Sequence, residues 1–144
     1  MNDQDTRRAT GGCLCGAVRF EVGGPMRDVV VCHCSMCRQQ HGGPAGHTKA
    51  KKKHITMTED RGLAWYRTSP QARRGFCREC GSSLFWEPDG QDATGILAGS
   101  IDPPTGLKTL GHIFVGEKSD FHEITDGLPQ FGTSSEGGFE GDYT

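Results

Sequence analysis

The sequence predicts a single, mainly β domain with one short helix, and three observations lead to that fold class. Its 144 residues match the usual size of one domain. Short apolar or alternating runs recur between Gly, Pro, Asp and Ser, as in strands joined by turns. The sequence has no internal repeat and no alternation of long helices with strands, which argues against a parallel βαβ architecture.

The strands and the helix follow from local patterns in chain order. The clearest strand covers residues 17–22, where Val18, Phe20 and Val22 share one face and charged residues share the other. The helix covers residues 35–41, about two turns. The remaining predicted strands cover residues 29–32, 46–50, 54–58, 63–68, 82–86, 96–100 and 112–115.

The composition limits the size of the core. Hydrophobic residues make up 33% of the chain, and 22 residues are glycine. Residues 1–10 and 132–144 are predicted to be flexible tails, because they are polar and the second is also rich in glycine. The ordered domain is then expected at residues 11–131, and something besides side-chain burial should help to stabilise it.

The seven cysteines are the expected second source of stability. The chain opens without an apolar leader, which predicts a cytoplasmic protein with reduced thiols, so metal binding or catalysis is favoured over disulfides. No window is long and apolar enough to predict a membrane span. The net charge of −2 argues against nucleic acid as a partner.

The cysteine spacing is typical of zinc ligands. In Cys77-Arg78-Glu79-Cys80-Gly81 the turn directs both sulfurs to one point, and the glycine permits the backbone that closes this zinc knuckle. Two further thiolates are needed for tetrahedral coordination. Either Cys-x-Cys pair can supply them, because residues i and i+2 of an extended segment project from the same side. Spacing alone leaves the pairing open. The pairs are Cys13 with Cys15 and Cys32 with Cys34.

One division of the cysteines is informative. If Cys13 and Cys15 complete a structural Zn²⁺ site with Cys77 and Cys80, then three cysteines remain close together in sequence. A three-ligand site with an open fourth position can bind substrate, and three thiolates around zinc favour an incoming thiol over activated water. Those three are Cys32, Cys34 and Cys37.

Two alternatives for this second site remain open. In the first, a histidine fills the fourth position and makes a second structural site. In the second, Cys34 and Cys37 form a redox switch, with Arg38 lowering a thiol pKa. The candidate histidines are His33, His41 and His47.

The three cysteine motifs together resemble the glutathione-dependent formaldehyde-activating enzyme family, which includes the centromere protein V group. The resemblance covers roughly residues 11–131. It is carried by Gly12-Cys13-Leu14-Cys15-Gly16, by Cys32-His33-Cys34-Ser35-Met36-Cys37-Arg38, by Phe76-Cys77-Arg78-Glu79-Cys80-Gly81, and by His112-Ile113-Phe114-Val115 with Glu123-Ile124-Thr125-Asp126-Gly127-Leu128-Pro129.

The resemblance implies twisted, coiled β-sheets, called a β-tent, with two zinc sites. It places the structural ion on Cys13, Cys15, Cys77 and Cys80, and the second near the active centre on Cys32, Cys34 and Cys37. The implied reaction is that of a carbon–sulfur lyase, which joins a small thiol such as glutathione to formaldehyde. The alternative is a non-catalytic zinc module that binds a partner.

Basic side chains elsewhere in the sequence have two possible roles each. The lysines at 49, 51, 52 and 53 are expected to be a solvated edge or an attraction for the carboxylates of a peptide-like thiol. Arg73 and Arg74 are expected either to screen the thiolates beside Cys77 or to be exposed. His112 is interpreted as a structural histidine on a core strand, with catalysis as the alternative. The oligomeric state is not encoded in any recognisable pattern.

Overall fold

A computed structural model describes residues 9–139. The strands run β1 Ala9–Gly12, β2 Arg19–Val22, β3 Arg27–Cys32, β4 Ala45–Lys51, β5 Ile55–Glu59, β6 Leu63–Ser69, β7 Ala72–Cys77, β8 Ser83–Pro88, β9 Ala93–Leu97 and β10 Thr109–Ile113. The α-helix of the described chain, α1, covers Ser35–His41, and 3-10 turns cover Lys52–His54, Ala98–Ser100 and Val115–Glu117. The predicted fold class, mainly β with one short helix, is confirmed.

The strands form two open sheets. The smaller has the order β1-β2-β5, and the larger has the order β10-β3-β4-β9-β8-β7-β6. All pairs are antiparallel except β10 with β3, which run parallel and bring the chain from about residue 109 onward beside the segment that starts the second cysteine motif. This pair is not part of a βαβ unit.

One apolar core joins the two sheets. Phe20 of β2 packs edge-on against Phe85 of β8, with ring centroids 5.1 Å apart. Leu84 and Ile96 are fully buried in the same cluster. Cys13 and Cys77 belong to it as well, so the first and third cysteine motifs are built into the core. Burial of these side chains is the main apolar contribution to stability.

The helix is short because its ends are set locally. Cys34 caps the N-terminus, where its sulfur accepts a hydrogen bond from the Cys37 N–H. Gly42 ends the helix with φ of 78°, a left-handed conformation that glycine adopts without strain. The result is a helix of about two turns, whose N-terminal end holds Cys34 and Cys37 on the same side of the chain.

Two strands were not predicted. In β7 the pattern Ala-Arg-Arg-Gly-Phe-Cys does not alternate, yet β7 lies between β6 and β8. Gly75 is required there because a Cβ would lie 3.0 Å from both Phe85 and Trp65. β1, at Ala9–Gly12, forms by pairing with β2 and not by its own propensity.

Two predicted strands are shifted. The strand expected at residues 96–100 is Ala93–Leu97, because the chain turns at Ser100, whose hydroxyl donates to the Leu97 carbonyl. The strand expected at 112–115 is Thr109–Ile113, because Phe114 has φ of 56° and ends it. A left-handed residue cannot continue a strand.

The ends of the described chain differ from the predicted tails. Ala9 and Thr10 belong to β1. At the other end Phe139 is 9% exposed and packs edge-on against Phe131, with centroids 5.1 Å apart. Gly111 leaves the space for that ring, since a Cβ there would lie 2.5 Å from it. Residues 1–8 and 140–144 of the predicted tails lie outside the described residues. Within the described chain, no helix is both long enough and apolar enough to cross a membrane.

Candidate functional site

The first and third cysteine motifs meet in space. Cys13 and Cys15 lie in the turn after β1, Cys77 ends β7, and Cys80 lies in the next turn. Their four sulfurs all lie within 4.8 Å of one another. The Sγ atom of Cys15 is 3.7 Å from that of Cys13 and 3.7 Å from that of Cys77. These are free thiols at non-bonded distances.

This four-cysteine site fits a tetrahedral metal ion. Four sulfurs at the usual zinc–sulfur distance stand about 3.8 Å apart, close to the observed separations. The backbone supports charge on sulfur: the Val18 N–H donates to Cys13 Sγ over 3.2 Å. Ser82, whose hydroxyl is 3.1 Å from Cys80 Sγ, lowers the pKa of that thiol to about 5.

The middle motif forms a second cluster. Cys32 ends β3, Cys34 caps α1, and Cys37 lies in the first turn of that helix. Their sulfurs lie within 4.8 Å of one another. Among residues 9–139, no fourth Cys, His, Asp or Glu joins all three at that distance. The cluster therefore offers three potential ligands, one fewer than a closed tetrahedral site needs.

The three thiols of this cluster cannot all ionise unaided. Hydrogen bonding from Cys32, and then from Cys37, lowers the pKa of Cys34 to about 2. Interaction with Cys34, then with Cys37, and burial raise the pKa of Cys32 well above its usual value. Like charges at this distance repel, so a divalent cation is what allows three thiolates together. The donor set fits a soft metal ion such as zinc.

A cavity of about 540 Å³ opens beside this second cluster. A cavity of this size accommodates a small peptide-like molecule. One wall carries the three sulfurs and Met36. The lining also includes positively charged and aromatic side chains. The charged residues are Arg27, Lys49 and Arg74; the aromatic ones are Trp86, Phe114 and Phe139.

A buried histidine pair lies behind the cluster. His33 is 2% exposed, and its Nε2 is 2.9 Å from His112 Nδ1. The ionised Asp126 can only accept, so His112 Nε2–H donates to its carboxylate over 2.7 Å. The Leu128 N–H, and then His112, hold the pKa of Asp126 below its ordinary value. His33 therefore supports the cysteine loop through His112 and does not join the three sulfurs.

His41 and His47 lie on the other side of Cys37. Each offers a ring nitrogen within 4.8 Å of Cys37 Sγ, which gives a third group of potential metal ligands. Burial, and then the charge of Arg74, lower the pKa of both imidazoles, that of His47 to about 3. Arg74 itself already occupies this place, with Nη1 3.3 Å from His41 Nε2 and Nη2 3.6 Å from Cys37 Sγ.

Arg73 and Arg74, expected either to screen the thiolates beside Cys77 or to be exposed, differ from each other: Arg73 is partly exposed and Arg74 is buried. Arg73 pairs with Glu87 at 2.7 Å and stacks over Trp65. Arg74 points to the opposite face of β7 and reaches Cys37 of the second cluster. Because successive side chains of a strand alternate between faces, neighbours in sequence serve different surroundings. Nearness to Cys77 in the sequence therefore does not predict which groups each arginine contacts.

The predicted lysine cluster divides in the same way. Lys49 lines the cavity, whereas Lys51 pairs with Asp92 at 3.0 Å and Lys52 lies 3.8 Å from Glu87. One lysine of the group is thus placed to meet a ligand. Sequence reasoning missed Phe139 as a cavity residue, since it stands in a polar, glycine-rich segment without periodicity.

Fold and cysteine geometry together define a β protein with two groups of cysteines able to hold metal. The profile of the family described as "Glutathione-dependent formaldehyde-activating enzyme" matches residues 8–117. The chain belongs to this family, as its cysteine motifs predicted.

Individual relatives agree with this membership. The chain is 32% identical over 134 residues to a protein of Halomonas elongata named putative glutathione-dependent formaldehyde-activating enzyme, covering 79% of each chain. It is 29% identical over 122 residues to an uncharacterized lyase of Schizosaccharomyces pombe, covering 84% of this chain and 88% of the other. A crystal structure of a Rhodobacter sphaeroides protein aligns with TM-score 0.57 and 25% identity, over 72% of this chain and 98% of that one.

Proposed function

We propose that this protein is a zinc-dependent carbon–sulfur lyase that acts on a small thiol resembling glutathione and on an aldehyde or its S-hydroxymethyl adduct. In this proposal Cys13, Cys15, Cys77 and Cys80 hold a structural zinc ion. Cys32, Cys34 and Cys37 hold a second ion at the active centre. Family membership supports the thiol and the aldehyde, because the family is described by both.

The observation that carries the proposal is that the cluster beside the cavity has three cysteines, whereas the other cluster has four. Three sulfurs lie together, with no fourth ligand near all three in the described chain, next to about 540 Å³ of space. A structural site would be closed by its own protein ligands. An incomplete donor set at a cavity wall is the arrangement expected where a substrate supplies the last ligand.

The chemistry requires a thiolate and a polarised carbonyl. A zinc ion held by these sulfurs supplies positive charge that keeps the bound thiol deprotonated. The thiolate sulfur attacks the carbonyl carbon, and a carbon–sulfur bond forms while the π electron pair moves to oxygen, which takes a proton from water. The reverse reaction breaks the same bond. Basic side chains such as Lys49 would attract the carboxylates of the thiol.

The experiment compares Cys34→Ser with the native protein. Exchange between formaldehyde and S-hydroxymethylglutathione is followed by NMR, and metal content is measured by elemental analysis. We expect two zinc ions per native chain and one in Cys34→Ser. The exchange rate should fall by about 100-fold or more, because substituting one ligand removes the site and not the fold.

Urea unfolding of the same variant shows whether the fold is retained. Cys34→Ser should unfold in urea within about 1 kcal/mol of the native protein, since the sulfur is partly exposed and outside the core cluster. A large loss of stability with no native exchange activity would instead favour the non-catalytic zinc module. Native protein with one zinc ion and no response to glutathione would contradict the lyase.

A further inference from the structure

Arg74 is a buried cation at the wall of the cavity. It is 7% exposed and lies in β7, where it stands opposite Tyr66 of β6 and Trp86 of β8. Its Nη2 is 3.6 Å from Cys37 Sγ, and its Nη1 is 3.3 Å from His41 Nε2. The guanidinium therefore sits directly behind one sulfur of the three-cysteine cluster.

Its charge has no carboxylate partner among the described residues. Its Nε is also buried without a hydrogen-bond acceptor. The neighbouring Arg73 is the opposite case, with a 39% exposed side chain paired to Glu87. Burying a charged group is costly unless an opposite charge lies close by. The group beside Arg74 that would carry negative charge, once a metal ion is bound, is the sulfur of Cys37.

The histidines around Arg74 do not supply that charge. His41 lies against the guanidinium and His47 lies nearby, and an imidazole is either neutral or positively charged. A neutral imidazole can accept a hydrogen bond from arginine, as His41 Nε2 does, but it cannot offset a positive charge. The position of Arg74 also explains why Cys37, His41 and His47 need not be a third metal site: an arginine is the cation among them.

We propose that Arg74 is the positioning residue of the three-cysteine site, where its buried guanidinium lies against the Cys37 sulfur and offsets the excess negative charge of the ligand set. Three thiolates and one divalent ion carry a net charge of −1, which one guanidinium brings to zero. A substrate thiolate then enters a neutral site and not an anionic one. Arg74 thus favours binding of a fourth, anionic sulfur. This inference rests on the proposed function, because it needs an ion and a thiol at the site.

The test uses the full chain loaded with Co²⁺, whose absorption reports thiolate ligands. Native protein is compared with Arg74→Met, which keeps the length and removes the charge, and with Arg74→Lys, which keeps the charge. Arg73→Met is the matched control one residue away. Release of each ion to a chelator and the spectral change on adding glutathione are measured. The four-cysteine ion serves as an internal reference for folding.

We expect Arg74→Met to release the ion of the three-cysteine site at a chelator concentration about tenfold lower than the native protein requires. Its affinity for glutathione should also be about tenfold weaker. Its retention of the ion at the four-cysteine site should be the same as in the native protein. Arg74→Lys should stay within about threefold of the native protein in both measurements, because it restores the charge. Arg73→Met should match the native protein in both, since its side chain faces Glu87 and not the cluster.

Different failures have different meanings. If native protein binds two ions and glutathione and Arg74→Met behaves identically, the role of Arg74 is overturned while the proposed function stands. If native protein takes up one ion, the proposed function fails and the inference fails with it. If Arg74→Met also loses the ion of the four-cysteine site, Arg74→Lys decides between the two explanations. Near-native retention of the second ion by Arg74→Lys supports the role of charge. A loss of that ion as large as in Cys34→Ser overturns it.

Discussion

The four-cysteine site and the three-cysteine site use the same ligand but differ in their surroundings. The first joins two distant parts of the chain, and two of its cysteines belong to the apolar core. The second is built from six consecutive residues at the end of β3 and the start of α1, beside a cavity. A closed site inside a core contributes to folding, whereas an incomplete site at a cavity leaves room for chemistry.

Their supporting charges differ as well. The four-cysteine site is stabilised by the Val18 N–H and by the Ser82 hydroxyl, and among residues 9–139 no arginine hydrogen-bonds to its sulfurs. The three-cysteine site has a buried arginine against Cys37 and a histidine pair behind Cys32 and Cys34. Neutral donors suit a site whose charge never changes. A cation beside the sulfur suits one where a further anion must enter.

The largest effect should come from breaking the four-cysteine site. Cys77 is fully buried, so Cys77→Ser removes a proposed metal ligand and places a hydroxyl in the core. We expect a loss of more than about 5 kcal/mol in the free energy of unfolding, with both ions released. Urea unfolding followed by circular dichroism measures this. A Cys77→Ser chain about as stable as Cys34→Ser would show that the two sites do not differ in this way.

A smaller effect is expected from crowding the same site without replacing any of its four cysteines. Gly62 lies so close to it that a Cβ would be 2.8 Å from Cys77 Sγ and 2.7 Å from the Ala17 Cβ. Gly62→Ala should cost about 2–3 kcal/mol, because both neighbours are buried and cannot give way. Gly43→Ala is the control, since nothing lies within 4 Å of its added Cβ. Equal thermal midpoints for the two variants would contradict this packing.

The smallest effect should come from the support behind the second site. His112→Phe removes the partner of both His33 and Asp126 while preserving a buried ring. We expect a loss of about 1–3 kcal/mol, because His33 Nε2 stays buried without a partner, and weaker retention of the second ion. His122→Phe is the control, as His122 only makes a ring contact with His33. If His112→Phe retains the ion of the four-cysteine site less well than His122→Phe does, the histidine pair supports the whole fold.

The structure separates what local sequence can predict from what it cannot. The helix Ser35–His41 was predicted with the bounds observed, because its cap, length and terminating glycine are all local. Strand β7 was missed, because its place between β6 and β8 depends on partners and on the space that Gly75 leaves for two aromatic rings. Phe139 was missed for the same reason: its ring is buried by Gly111 and Phe131, not by its own segment.

The sequence by itself determined the candidate metal ligands, their grouping into motifs and the family to which the chain belongs. Thiol spacing and a glycine after the last cysteine of a knuckle are local features, and they fix the chemistry before any long-range contact forms. The tertiary structure decided which motifs meet, where the cavity lies and which arginine reaches a sulfur. Those depend on strand order and on the alternation of side chains across a sheet, which join residues far apart in the chain.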